Sequence, residues 1–147
     1  MTQRVVRERA AETVELPSGA VFRLLVDGGA AGVNRLTPPP GGDGAKPHRH
    51  LRSTELFYVL DGALEVLLGT EVVTVTAGDL AVVPPGMPHA FRAAPGREAD
   101  LPAVLTPGVE WFGYFRALGR IARGEDRWEN LLPRQREFDV HFTAGNW

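Results

Sequence analysis

Short apolar runs, punctuated by Gly and Pro, dominate the first hundred residues. Val21–Val26 and Gly32–Thr37 come first, and runs over 55–60, 63–68, 72–76, 80–84 and His89–Ala93 follow. Each has the length and composition of a strand. Between them, 38–44 reads PPPGGDG, a loop by composition, and Ala77-Gly78-Asp79 and Pro85-Gly86-Met87-Pro88 read as turns. Asp61-Gly62 separates two runs and predicts a two-residue hairpin, because the favoured turn needs positive φ, which Gly adopts freely and Asp tolerates. Many short strands at close spacing predict an all-β sandwich or barrel.

The last third changes character. Thr106-Pro107 has the form of a helix start, Thr as cap and Pro at the first helical position. Trp111, Phe115, Leu118 and Ala122 then recur at helical spacing with Tyr114 and Ile121 beside them, while Arg116, Arg120 and Arg123 fall opposite. This predicts an amphipathic helix of about four turns. A shorter helix is expected over 126–132, stopped by Pro133. In the tail, 134–147, Phe138, Val140 and Phe142 alternate, so strand and helix compete. The domain organisation expected is a single unit over 1–147: a polar arm (1–12), a β-barrel (13–105) and a helical extension with tail (106–147).

Composition narrows the chemistry. The chain has 147 residues, enough for one core, and 44 % hydrophobic with 23 % charged residues is ordinary for a folded domain. Sixteen basic and 18 acidic side chains give a net charge of -2, so nucleic-acid binding by broad charge neutralisation is not expected. No apolar run approaches the ~20 residues of a membrane span, and no secretory signal is apparent, so a cytoplasmic protein is the expectation. There is no cysteine, which removes disulfides, thiolate metal sites and a cysteine nucleophile. Lys46 is the one lysine and would be the sole candidate for Schiff-base chemistry.

Three of the four histidines fall into one pattern. Gly42, His48, Arg49, His50, Glu55 and Gly62 form a first block; Gly78, Pro84, Pro85, Gly86 and His89 form a second. In an extended strand His48 and His50 point to the same face, roughly 6.6 Å apart. Imidazoles at that separation can tilt onto one ion at about 2.0–2.1 Å. Glu55 opens the next strand, expected one hairpin away, and His89 is expected to close the site from across the fold. Three neutral nitrogens and one carboxylate leave one or two positions open on a divalent ion, as a catalytic metal requires. The plainer reading of these four residues is a set of surface or core side chains with local hydrogen bonds.

At these residues the sequence resembles the cupin superfamily, whose Gly–His-x-His–Glu–Gly and Gly–Pro-x-Gly–His motifs stand here almost whole. The resemblance covers about residues 15–105 and implies a double-stranded β-helix, a jelly-roll barrel, with His48, His50, Glu55 and His89 as ligands to one divalent transition metal per chain (Fe, Mn, Ni, Co, Cu or Zn). It departs once: Ala93 stands where the family often has Asn, which removes a polar pocket contact and favours an apolar wall. The chain also resembles small bacterial single-domain cupins of the quercetin-dioxygenase-like sort, whose barrel is followed by a Pro-Gly-x-Glu segment, here Pro107-Gly108-Val109-Glu110, and an aromatic-rich helix.

Alternation from Glu55 and His89 places Phe57, Val59, Phe91 and Ala93 on the metal face as pocket candidates. Each also reads as plain barrel core. The outward set Leu56, Tyr58 and Leu60 is apolar for a solvent face, which with the family's habits points to a homodimer. Arg49 and Arg92 should point away from the metal, His141 should serve a hydrogen bond in the tail, and Glu110 and Tyr114 can act as acid or base only if the helix covers the barrel mouth. The helix stripe itself reads first as packing and second as a lid. The expected function is an oxygenase acting on a small, aromatic substrate, with Glu55 moving between ligand and proton acceptor. Two alternatives stand beside it: a non-oxidative isomerase, decarboxylase or cyclase, and a non-catalytic small-ligand binding module.

Overall fold

Among the described residues, 4–145 and 147 of the computed structural model, eleven strands form one curled antiparallel sheet. The first three residues of the expected polar arm lie outside that range. The strands are β1 (Glu12–Glu15), β2 (Val21–Val26), β3 (Gly32–Thr37), β4 (Asp43–Arg49), β5 (Thr54–Tyr58), β6 (Asp61–Leu68), β7 (Glu71–Thr76), β8 (Leu80–Val83), β9 (His89–Ala93), β10 (Ala99–Thr106) and β11 (His141–Phe142). One half of the sheet runs β1-β2-β3-β10-β5-β8 and the other β7-β6-β9-β4-β11. The halves join where Asp61 and Gly62 pair with Asp100 and Ala99.

The curl turns both halves onto one core. Phe22, Leu24, Leu36, Leu101 and Leu105 from the first half meet Leu64, Val66 and Phe91 from the second. The rings of Phe57 and Phe91, one from each half, lie 4.8 Å apart. Alternation of buried and outward-facing positions, clearest in β3 and β10, is what lets each half bury a single face. The architecture is the all-β barrel expected, with short helices after it.

Three local expectations need correction. Asp61-Gly62 is not a hairpin: β5 and β6 do not pair with each other, and the chain between them passes from one half of the sheet to the other. Gly62 is needed there for close approach. Its φ is +81°, and a Cβ would stand 1.8 Å from the Glu98 carbonyl oxygen. Second, β10 has no counterpart among the apolar runs. Pro102 breaks its appearance as a strand, yet sits where β10 changes partner from β6 to β5 and loses no ladder bond there.

Third, Thr106 does not cap a helix, because it is still paired to Thr54 at the end of β10. The segment after it is tied down elsewhere: the Ser53 hydroxyl donates to the Pro107 carbonyl (2.6 Å) and the Gly108 N–H to Gly29 (2.8 Å). The first helix, α1 (Phe112–Ala122), therefore starts later and has 11 residues. Its first N–H is satisfied from a distance, by the Asp27 carboxylate 3.0 Å away on the β2–β3 loop. After it come α2 (Trp128–Leu131), a 3-10 turn (Leu132–Arg134) and α3 (Gln135–Phe138). The tail then resolves the strand–helix competition in sequence: helix through Phe138, strand at β11.

Charged pairs fasten the ends to the barrel. The N-terminal arm contains a 3-10 turn (Glu8–Ala10), and Glu8 reaches Arg35, which also holds Asp100 in a bidentate pair at 2.8 and 2.6 Å. Arg116 on α1 grips Glu12 on β1 at 2.7 and 2.6 Å. Of the outward set Leu56, Tyr58 and Leu60 on which the dimer expectation rests, Leu56 is half-buried and Tyr58 and Leu60 are exposed; Leu80 and Val82 on β8 are exposed as well. No helix among the described residues is long and apolar enough to cross a membrane.

A pair of glycine substitutions separates close approach from backbone conformation. Gly62→Ala is expected to cost about 3 kcal/mol or more. Gly69→Ala, at φ +64° with nothing within 4 Å, is expected to cost only about 1–2 kcal/mol. Urea unfolding midpoints of the two variants measure the difference.

Candidate metal centre and its cavity

His48, His50, Glu55 and His89 are all buried, and one ligand atom from each lies within 4.8 Å of the other three. Two histidines sit on neighbouring strands: β4 pairs with β9, with His50 following directly after β4, and His48 is the register partner of His89. Their rings stand 4.3 Å apart, and His50 lies 4.9 Å from His48 and 5.2 Å from His89. The expectation that His89 closes the site from across the barrel, with Glu55 one hairpin away, is thus reversed. His89 is the cross-strand neighbour, and Glu55 reaches over from β5 in the facing half of the sheet. Spacing along the chain fixed the faces but not the strand partners.

Each imidazole is held by its Nδ1. The His48 Nδ1–H donates to the Lys46 carbonyl (2.6 Å), that of His50 to the Asp139 carbonyl (2.7 Å) and that of His89 to the Met87 carbonyl (3.0 Å). A neutral ring that donates from Nδ1 presents a lone pair at Nε2, which is how protein metal sites orient their ligands. Glu55 Oε1 lies 2.9 Å from His89 Nε2 and 3.3 Å from His50 Nε2. Both rings therefore have an oxygen acceptor on each side. Without a cation between them, both Nε2–Oε1 contacts would each need a proton, crowded around one carboxyl oxygen. A divalent ion satisfies the same oxygens and nitrogens with neutral rings, so the donor set fits a metal.

The electrostatics agree with a site built for positive charge. Burial and the neighbouring rings of His89 and His50 push the His48 pKa down to about 3, so it stays neutral. Burial opposes charge on His50 as well, but the Glu55 carboxylate and the Asp139 carbonyl outweigh it and raise its pKa. Burial likewise disfavours the Glu55 anion, and His50 and His89 overcome that and hold it well below the usual carboxylate range.

Asp139 was not legible in sequence. It follows α3 with φ +53° and is 1 % exposed. Its carbonyl holds His50, and its carboxylate accepts the N–H groups of Leu51 and Arg52, each at 2.9 Å. His141 donates to the same carboxylate at 3.2 Å, which is the tail hydrogen bond expected of it. The only sequence signal was that Asp tolerates the left-handed conformation better than most residues.

Beside the cluster lies a cavity of about 350 Å³. His48, His50 and Glu55 line it, with Phe22, Leu36, Phe91 and Ala103 from the barrel and Trp111, Tyr114, Phe115 and Leu118 from α1 and the residue before it. The helix stripe is thus packing and cover at once. Of the four pocket candidates, Phe91 lines the cavity, whereas Phe57, Val59 and Ala93 are packed in the core and do not. Phe57 instead packs at a tilt beside His89, the ring centres 6.2 Å apart. Alternation gave their face correctly but not their depth along the barrel. Arg49 is exposed, and Arg92 turns outward to Glu65 at 3.0 Å. Glu110 is exposed, while Tyr114 is buried at the cavity, its pKa raised by burial and by the Glu55 charge.

A curled antiparallel barrel with a three-His, one-Glu cluster on its inner wall defines a class of small-molecule barrels able to hold one metal ion. The family model for the cupin domain matches residues 34–105, and the chain belongs to the cupin superfamily. It is 43 % identical over 60 residues to Germin-like protein 1-1 of Oryza sativa subsp. japonica, a match covering 37 % of this chain and 27 % of that protein's length. Among solved structures, an RmlC-like cupin from Shewanella frigidimarina superposes with a TM-score of 0.65 at 22 % identity, covering 76 % of this chain and 96 % of that one. The polyketide cyclase RemF from Streptomyces resistomycificus gives 0.58 at 21 % identity, covering 83 % and 98 %.

His48→Ala and His89→Ala are each expected to lose most bound metal while the barrel stays folded, read by elemental analysis beside circular dichroism; stoichiometric metal in both would rule out this ligand set. Asp139→Ala should weaken metal binding by about 10- to 100-fold, measured by chelator competition, with Asp139→Asn intermediate.

Proposed function

We propose that the chain is a metal-dependent enzyme that converts a small, largely apolar, aromatic molecule, and that the reaction is an oxygenation. The observation that carries this reading is the convergence of three imidazoles and one carboxylate, of which His48, His50 and Glu55 line a mostly apolar, half-open cavity. His48, His50, Glu55 and His89 would hold one divalent transition metal per chain. When bound, such an ion supplies Lewis acidity toward a substrate oxygen and, if redox active, a path for electrons to dioxygen.

The protein's own part is positional. Phe22, Phe91, Trp111 and Phe115 line the cavity and offer aromatic surface to a flat substrate. Glu55, on the facing wall from the histidines, is placed to take a substrate proton. Tyr114 stays protonated well above neutral pH, so its hydroxyl can donate a hydrogen bond or hand over a proton but supplies no phenolate base.

Tyr114 is also the observation that favours a second reading, a non-oxidative isomerase, decarboxylase or cyclase. A protonated phenol and a buried carboxylate facing one cavity form an acid–base pair that needs no oxidant. The polyketide cyclase among the structural neighbours supports the same direction.

Elemental analysis of the isolated protein, paired with an oxygen electrode and hydroxylated bicyclic aromatics as probes, separates the two. Iron, manganese, nickel, cobalt or copper with oxygen uptake upholds the oxygenase. Zinc without uptake, but with probe conversion that falls about 100-fold or more in Tyr114→Phe, upholds the second. Protein that neither carries metal nor takes up cobalt(II) overturns both, and probe recovered unchanged from metal-loaded protein leaves a binding module.

A further inference from the structure

The described residues contain three buried side-chain nitrogen or oxygen atoms with no hydrogen-bond partner: Asn34 Nδ2, Asn34 Oδ1 and Trp111 Nε1. Both residues line the same cavity as the metal cluster. Buried polar groups in native proteins are nearly always paired, and an orphaned amide is costly to keep. Asn34 is 0 % exposed and sits on β3 between Gly32 and Leu36 on the inward face, where an apolar residue would satisfy the barrel. Its cross-strand partners are Leu24 and Ala103, neither of which offers a side-chain partner. Gly32 next to it leaves room for the indole, since a Cβ there would stand 3.0 Å from Trp111 Nε1.

We infer that Asn34 and Trp111 form a recognition subsite that reads a planar, neutral ligand through an adjacent hydrogen-bond donor and acceptor. A carboxamide offers one donor edge and one acceptor edge, so its complement is a group with the same pair reversed, an N–H or O–H beside a carbonyl. The indole N–H adds one donor for a second lone pair of the ligand. The ligand is neutral because the cavity lining near this subsite, Leu36, Ala103 and Phe115, supplies no charge to a buried ion. Its size follows from volume: a cavity of about 150 Å³ holds one benzene ring, so about 350 Å³ holds two fused rings with substituents. This inference names the substrate class for the enzyme proposed above and rests on that reading for turnover, but not for binding. The donor–acceptor edge can come from a lactam or from an α-hydroxyketone.

Equilibrium binding to the metal-loaded protein, followed by quenching of tryptophan fluorescence, tests it with four probes. They are 2-quinolone, its N-methyl derivative, naphthalene, and 2-hydroxy-1-tetralone as the hydroxyketone arm. The expected result is that 2-quinolone or 2-hydroxy-1-tetralone binds at least tenfold tighter than naphthalene, and 2-quinolone at least tenfold tighter than its N-methyl form if the lactam is the source. In Asn34→Leu these preferences collapse to within about twofold, metal content is unchanged, and the ligand-free protein melts a few degrees higher, because an unpaired buried amide has been replaced by a packed side chain. A merely structural Asn34 would instead give a lower melting temperature. That result, equal affinity for all four probes, or no binding of any, overturns the inference. Failure of the enzymatic reading shows separately, as wild-type protein that binds the probes with the expected preference yet holds no metal or converts nothing.

Discussion

The site depends on one geometric constraint: Glu55 must meet three imidazoles that come from the opposite half of the curled sheet. The histidines are arranged by local means. Two are adjacent in cross-strand register, and all three are locked at Nδ1 by backbone carbonyls. Glu55 has no such local help. Its position follows from the curl of the sheet, from β5 lying between β10 and β8, and from the crossing at Val59 to Gly62 that carries the chain into the other half. The curl of the sheet is therefore a condition of the site, since splaying its halves by a few ångströms would leave a buried carboxylate facing empty rings.

The strands and most of the ligand set were legible in sequence. Glycine and proline punctuation bounded the runs, and His48, His50, Glu55 and His89 met as their spacing implied. What failed was strand partnership. A dipeptide such as Asp61-Gly62 reports only that the backbone needs positive φ; it cannot say whether the reason is a hairpin or the close approach of a distant carbonyl, here that of Glu98. Thr106-Pro107 failed in the same way, because the caps of α1 lie elsewhere: Asp27 is 85 residues away from the N–H it satisfies. Signals that depend on contacts far apart in the chain leave little trace in a window of ten residues.

Asn34 is a different case, because strand alternation alone carries its signal. Gly32, Asn34 and Leu36 share a face by simple alternation, so a fully buried amide was implied wherever that face turned inward. A polar residue at a core position breaks the agreement between local pattern and global packing, and such breaks concentrate where function outweighs stability. Asp139 shows the reverse situation. It lies beyond the segment that matches the family model, between Phe138 and Val140, and only the assembled fold reveals that its carbonyl steers His50.

These placements divide the work between two parts of the chain. The barrel supplies all four candidate ligands, while α1 and the residue before it supply much of the wall, including Trp111, Tyr114, Phe115 and Leu118. The candidate ligands thus all lie in the barrel, whereas the cavity wall is shared between the barrel and α1, and the two sets meet at two points. One is Asp139, through which the tail bears on His50. The other is Tyr114, whose raised pKa reflects the charge of Glu55 as well as burial. Substitution along the cavity face of α1 can reshape the pocket without touching a ligand, provided Tyr114 is kept. The same freedom does not extend to β4, β5 and β9, where an inward change disturbs a ligand or the packing beside it, as the contact of Phe57 with His89 and Phe91 requires. On the reading proposed above, a ligand cluster set in the barrel beside a wall built partly from a helix leaves one scaffold room for several reactions, so fold and ligand set alone do not decide the reaction.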